Sequence, residues 1–539
     1  MIFLRHITIL IVSFLLCFQS YSQSAMIRDV ELEKSKSYGA YMLGVDDRGY
    51  VYAEGVRQFL SFRTYWLKVY DPNLGKMIAE KSTKFKELDE RGYRYLYFRF
   101  IDKRPIIVVR SKNISDKNYY AFDIDHNLNI LGGAYAIGTT AQCGGLLVGG
   151  TGKSVGNDLR ASRAPDRSVT FLSDLTCSRD KDLTFQLMVL NEYGNELYSA
   201  DLEFEGLNPF NKSVLVALNE RKSYFYLSYD RVEKVEGKLF RQQVQYQRLF
   251  SINSFGDITE IDLELEHNIS ISSFRMLAIG EELFVTGLLA EGEQDNFVGV
   301  FSGKIDANTD KFVAMKTQFF SEDFASTYWS DFKKERIKRS GEKATLGSDF
   351  RLLDYFKTAD GGAAYFAQKY ILKEVTQSTP TPGMGTRLST DYHHFYTDLV
   401  VIKINEEGEL DWTALVPIEQ HTINYNPGRG FVAAQYQDEL VIMHLSSVVK
   451  EEEINTGKPS TEKRRFRDRV KNELALTRVS ASGELATKNI INLRTEKMTF
   501  NPSAVAVDLQ NNFFTLLNTP TSIFKRKRTR MKVVPFTAW

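Results

Sequence analysis

Cysteine is nearly missing: the 539 residues hold three. Cys17 lies in the apolar N-terminal stretch, which leaves Cys143 and Cys177, so a scaffold stapled by several disulfides is excluded. An exported chain with two cysteines leaves a Cys143–Cys177 bridge open, against two buried thiols. Histidine is sparse, seven in all, and no His-Glu-x-x-His or Cys-x-x-Cys spacing occurs, so no zinc site is legible and no metal is expected. An excess of one charge is also missing. Lys and Arg number 69 against 68 Asp and Glu, a net charge of +1. Removing the first 22 residues takes away Arg5 and no acid, so +1 − 1 leaves the remainder neutral. That balance argues against nucleic acid or an anionic surface as the main partner. After residue 22 no apolar run is long enough for a spanning helix, which needs about 20 residues.

The first residues read M-I-F-L-R-H-I-T-I-L-I-V-S-F-L-L-C-F-Q-S-Y-S. Arg5 supplies a positive start, Ile7 to Phe18 an apolar core, and Ser20-Tyr21-Ser22 a small-x-small cleavage site. Residues 1–22 are therefore expected to be a signal peptide, with Gln23 starting a periplasmic, cell-surface or secreted chain.

Strand signals dominate the rest of the chain. Aromatic residues make up 13 % of the whole, which suits strands. Two kinds of hairpin alternate. The first is an Asp/Asn-rich turn opening into an apolar strand, as in V-D-D-R-G-Y-V-Y from Val45, P-D-R-S-V-T-F-L from Pro165 and A-D-G-G-A-A-Y-F from Ala359. The second is a strand, a tight turn and a strand, as in V-L-N-E-Y-G-N-E-L from Val189, S-I-N-S-F-G-D-I from Ser251 and K-I-N-E-E-G-E-L-D-W from Lys403. Several carry Gly where the turn requires positive φ. A pair of hairpins makes a four-stranded unit that recurs about every 65 residues, a repeat signature. Eight hairpins of the first kind, seven of the second, and extended segments at Met26–Glu33 and Lys532–Phe536 predict about 32 strands. The predicted fold is all-β: a propeller of four-stranded antiparallel blades, eight rather than seven, closed by strands from both chain ends. Residues 23–539 then form one propeller domain.

This pattern resembles exported bacterial β-propeller proteins over nearly all of the chain after residue 22. The stretch K-I-N-E-E-G-E-L-D-W is similar to the blade motif of quinone-cofactor propellers, in which a Gly turn leads to a docking Trp. Only Trp412 fits that position, so the resemblance implies the architecture and no cofactor.

In such a blade alternate connections lie on opposite faces, so every tight turn falls on one face and every long insertion on the other. The insertions are residues 132–161, 321–347, 377–397 and 449–472. Residues 322–338 carry Phe324, Tyr328 and Phe332 at helical spacing and predict a short helix. Residues 377–397 read as a mobile loop ending in an aromatic cluster. Three insertions fall in consecutive blades, five to seven, and loops on a rigid scaffold are where function concentrates. The expected contact residues are Tyr328, Trp329, Tyr392, His393 and Tyr396, because aromatics supply binding area at low entropic cost. His393 and His394 are adjacent on an extended segment and should point to opposite sides. D-I-D-H-N-L-N, from Asp123, looks like a calcium loop but has Leu128 where Gly is required, so it reads as a hairpin turn. The Gly-rich G-K-S-V-G at Gly152 has neither the helix nor the partners that a catalytic elbow or a phosphate loop needs. The expectation is a non-catalytic binding or scaffold protein of the cell envelope, a monomer or part of a complex, that takes a protein, peptide or glycan on its insertion-bearing face. The alternative is a glycan-active hydrolase or lyase with a carboxylate pair at the funnel.

Overall fold

The computed structural model describes most of residues 27–538. Residues 1–26, 140–158, 322–348, 447–472, 519–529 and shorter stretches between them are not described. The expected helix at 322–338, Tyr328, Trp329, Cys143, Cys177 and the stretch from Gly152 all lie outside the described residues.

The described residues form eight four-stranded antiparallel sheets. Seven are consecutive in sequence: residues 38–82, 93–139, 159–204, 212–261, 269–319, 350–423 and 431–492. We number them blades one to seven and letter their strands A to D in chain order. Blade eight is composite. Its strands A to C are Val505–Asp508, Phe513–Asn518 and Arg530–Pro535, and its strand D is Arg28–Glu31 from the other end of the chain. Arg28 pairs with Val533 and Glu31 with Arg530. This is the predicted closure: the N-terminal strand caps an edge that would otherwise offer free backbone groups to another chain.

Strands A of successive blades touch one another nearly all the way round, so A is the innermost strand and D the outermost. The buried residues divide into eight clusters, each shared by two neighbouring blades. One joins Phe185 and Leu187 of blade three to Phe225 and Leu227 of blade four. Another joins Val51 and Ala53 of blade one to Met531 and Val533 of blade eight, which closes the circle. A two-faced sheet has no core of its own, so each blade is stable only between its neighbours.

The tight turns have a common cause. In four C–D turns the first residue is Asn or Asp and its side-chain oxygen accepts from the backbone N–H four residues on, in three of them also from the N–H two residues on. Asn191 holds Tyr193 and Asn195 at 2.9 and 3.0 Å, and Asn253 holds Phe255 and Asp257 at 2.9 and 3.0 Å. The fourth residue takes positive φ: Gly194 at 82°, Gly256 at 82°, Gly408 at 87°. In the loop from Asp123 that position is Leu128 at 62°, and Asp125 makes the same two bonds at 2.9 and 2.8 Å. The calcium-like spacing is thus a hairpin turn.

These turns also lock blade to blade. The Trp412 indole N–H donates to the Ala481 carbonyl at 2.8 Å, and a Cβ on Gly483 would lie 2.8 Å from the indole. Tyr135 covers Gly194 in the same way between blades two and three. An aromatic on an outer strand therefore docks on the next blade's glycine turn at a second place, at a spacing that bulges in blade two hide from sequence comparison. Lysines before two of the turns tie each to the A–B turn of its own blade: Lys304 to Glu282 at 2.7 Å and Lys403 to Asp360 at 2.8 Å.

Candidate ligand-binding face

The A–B and C–D turns share one face, and the B–C and D–A connections leave the strands on the other. Blade six departs from the rest there. Its strand B runs Ala363–Thr381 and its strand C Gly385–Ile404, 19 and 20 residues. Strand A stops pairing at Phe350–Lys369, whereas B and C stay paired out to Thr381 and Gly385. Residues 370–381 and their partners therefore stand beyond the blade, by roughly 40 Å at about 3.3 Å per residue. Strand D, Leu410–Ile423, follows as far as the pair His393–Ile423. The result is an arm with a three-stranded base and a two-stranded tip. The expectation of a mobile loop at 377–397 is thus corrected. The pairing runs out to Pro380–Thr386 and Thr381–Gly385, and the Thr-, Tyr- and Val-containing stretch takes the extended form its side chains favour.

The register assigns every side chain of the base to a side, because directly opposed residues share a face. One side carries Lys373, His393, Phe395, His421 and Ile423. Here the rings stack: Phe395 on His421 at 4.5 Å and His393 on His421 at 5.1 Å, with the two imidazoles 3.0 Å apart, Nδ1 to Nε2. Burial pushes the His421 pKa down, and the charges of His393 and His394 add to this. The other side carries Tyr370, Leu372, Tyr392, His394 and Tyr396. His394 Nδ1 meets the Tyr370 hydroxyl at 2.9 Å, and the Tyr370 and Tyr396 rings lie 5.1 Å apart. The adjacent histidines do point opposite ways.

Of the expected contact residues, Tyr392 is exposed at 43 % and His393 is half-buried. Tyr396 corrects the expectation. It is 1 % exposed, packs under Tyr370 and hydrogen-bonds Asn426, so it supports the arm instead of meeting a ligand. Leu372, Val375 and Ile423 were not anticipated, and they are exposed at 45, 39 and 50 % on the same arm.

At the foot of the arm a cavity of about 360 Å³ opens between the innermost strands of blades five and six. Ser272, Ser273, Arg275, Asp349, Arg351 and Tyr370 supply its polar lining, over a floor that includes the buried Phe297 and Phe350. The A–B pairing of blade five is interrupted between Ser272 and Arg275, and Ser273 sits at φ 54°, rare for a non-glycine residue. Phe274 between them is buried, its ring stacked on Tyr226 at 4.0 Å. That anchor holds the bulge and places Ser273 and Arg275 at the cavity. Sequence reasoning did not single out Arg275 or Arg351: they are 76 positions apart, and only the ring brings them together. Among the described residues no group of three or more His, Cys, Asp or Glu side chains is placed to hold a metal ion, and no helix is long and apolar enough to cross a membrane.

No family model matches this chain, and no curated protein does. Solved structures are similar in shape only. A Dos1 propeller is matched over 94 % of this chain and 96 % of that one, at 8 % identity and TM-score 0.43. The polysaccharide lyase Uly1 is matched over 82 % and 90 %, at 8 % identity and TM-score 0.36. The cobalt-substituted Synechocystis protein ACO is matched over 86 % and 92 %, at 9 % identity and TM-score 0.32. Likenesses this distant carry no argument about activity.

Proposed function

We propose that this is an exported, non-catalytic binding protein of the cell envelope, which engages a protein, peptide or glycan through the face that carries the blade-six arm. One observation carries the reading. A rigid ring extends a paired β ribbon about 40 Å beyond its rim, and the ribbon base leaves Leu372, Val375, Tyr392 and Ile423 exposed. Exposed apolar groups on a projecting element are the usual mark of a contact surface. Among the described residues the ribbon beyond strand A has no partner on the outer edge of strand B, where an extended chain can add. The glycan-active alternative needs two carboxylates facing each other across a pocket. Among the described residues the cavity is lined by one, Asp349, so no observation favours that second reading.

The test is capture from envelope extract with the full mature chain and a variant in which Ser378–Leu388, which pair with each other, is replaced by a two-residue turn. A second variant carries Tyr392→Ser with Ile423→Ser. Both are expected to lose the partner while keeping the circular-dichroism spectrum and melting temperature of the parent. Undiminished capture by both variants would refute the proposal.

A further inference from the structure

The outer turns of blades three and four carry aromatic residues that the fold does not require. In five C–D turns an Asn, Asp or Ser stands at the first position and a residue with positive φ at the fourth. Those two positions set the turn, and the third is open. There blades two, six and seven have Asn127, Glu407 and Ser482, whereas blades three and four have Tyr193 and Phe255. Phe255 is 87 % exposed and Tyr193 77 %, more than any other large hydrophobic residue among the described residues. The side chains of Asn253 and Asn191 hold the Phe255 and Tyr193 backbone N–H groups at 2.9 Å, so both rings stand on fixed turns. The blade-four turn lies against the outer strand of blade three: a Cβ on Gly256 would be 3.1 Å from the Ser199 carbonyl oxygen. Two residues before Ser199, Leu197 falls in a bulge with no residue opposite it and is exposed, as is Ile258 just after the blade-four turn.

The charge around these rings has one sign. From Asn191 to Phe204 and from Asn253 to Leu263 the two blades hold seven acidic residues and neither Lys nor Arg. Glu196, Asp201, Glu203 and Asp257 are exposed, and among the described residues none of the four forms an ion pair. An aromatic face attracts a cation through its quadrupole, and a carboxylate attracts it through charge. The same blades satisfy that combination once: Arg248 lies 4.9 Å from the Phe250 centroid and 5.5 Å from that of Phe204, and pairs with Glu260 at 2.6 and 2.7 Å. We infer that the outer turn face of blades three and four docks a basic, apolar segment of another protein, in which Arg or Lys alternates with aliphatic residues. The apolar side chains of the segment cover Tyr193, Leu197, Phe255 and Ile258, and its cations meet the carboxylates and ring faces around them. At about 150–250 Å² per aromatic the two rings offer roughly 250–400 Å², well below the about 800 Å² that each partner of a stable complex buries. The surface therefore fits a short segment held reversibly. It lies on the face opposite the blade-six arm and is independent of the arm's role.

Isothermal titration of the full mature chain with a nine-residue peptide alternating Arg with Leu and Val tests it. One comparison peptide carries Glu for each Arg, and another carries Ser for each aliphatic residue. The Arg-Leu-Val peptide is expected to bind, to weaken as salt is raised, and to bind a variant with Tyr193→Ser and Phe255→Ser roughly tenfold to a hundredfold more weakly. Both side chains are exposed, so that variant should keep the circular-dichroism spectrum of the parent. Asp201→Lys with Glu203→Lys should weaken binding as well, and Glu407→Ser, at the same turn position in blade six, should leave it unchanged. The inference is overturned if the peptide does not bind, if the Glu or Ser peptide binds as tightly, if the Tyr193 and Phe255 variant matches the parent, or if Glu407→Ser weakens binding equally. Sedimentation velocity and phosphatidylcholine vesicles address the other occupants. Self-association or vesicle binding that the Tyr193 and Phe255 variant loses would give the patch to a second copy or to a lipid surface, and would overturn the inference too. The variant with the shortened arm should bind the peptide as the parent does, so failure here leaves the reading of the arm standing, and failure of the arm leaves this one.

Discussion

His444 offers a quantitative test of the interior. It lies on strand B of blade seven, Glu439–Leu445, and is 1 % exposed. Its Nδ1 faces the Leu445 carbonyl at 3.0 Å, an acceptor only, so Nδ1 carries the hydrogen. Nε2 then accepts from the Thr477 hydroxyl at 2.8 Å, and Thr477 accepts from Thr487 at 2.8 Å. Every hydrogen in the chain is assigned with the imidazole neutral. Burial pushes its pKa down from 6.5 to about 4, against the opposing pull of the Leu445 carbonyl. Between those values the unfolded chain binds a proton that the folded chain refuses. The stability it supports is whole above pH 6.5 and is lost as pH falls toward 4. At about 1.4 kcal/mol per pH unit the loss is about 3 kcal/mol in total and about 2 kcal/mol by pH 5. The assay is urea unfolding of the parent and His444→Gln at pH 7.5 and 5.0, since every carboxylate is common to the two proteins. The variant should be less stable at pH 7.5 by about 1–2 kcal/mol, and the gap should close or invert by pH 5. Parallel pH dependences would refute the assignment of a buried neutral imidazole.

Two further predictions concern the blades themselves. The Lys403 side chain is 4 % exposed and its ammonium meets Asp360 at 2.8 Å and the Ile404 carbonyl at 3.1 Å. Asp360→Ala strands that buried cation and should cost more, by about 1–3 kcal/mol, than Lys403→Met, which removes it; equal costs in chemical denaturation would contradict this. A Cβ on Gly299 would lie 2.2 Å from the Gln318 carbonyl oxygen, in the strand it pairs with. Gly299→Ala should therefore destabilise by about 1–3 kcal/mol, while Gly92→Ala, with open space around it and φ 81°, should cost about 1 kcal/mol from backbone strain alone. Calorimetry giving equal shifts for both would show that the outer strand of blade five yields.

The recurrence of turn chemistry was legible in the amino-acid order because it is local. Asn405 and Gly408 act within five residues: Asn405 accepts from Glu409 N–H at 2.7 Å and Gly408 supplies φ 87°. Repeating that unit at a fixed period implies alternation of faces, a closed ring, and a last blade shared by the two ends. The extended arm was missed because Pro380, Pro382 and Gly383 read as a loop signal, whereas the B–C pairing includes Pro380 and reaches Thr381–Gly385. What tertiary structure alone decided depends on register and on neighbours. His393 and His421 stack because strand D follows strand C past a bulge at Thr397–Leu399, and a shift of one position would turn them to opposite sides. Tyr396 is covered because Tyr370 lies across it. Arg275 and Arg351 line one cavity because innermost strands of adjacent blades converge on the axis. Backbone preference acts over a few residues and is written in their order, whereas a site is made by surfaces that meet only after the ring has closed.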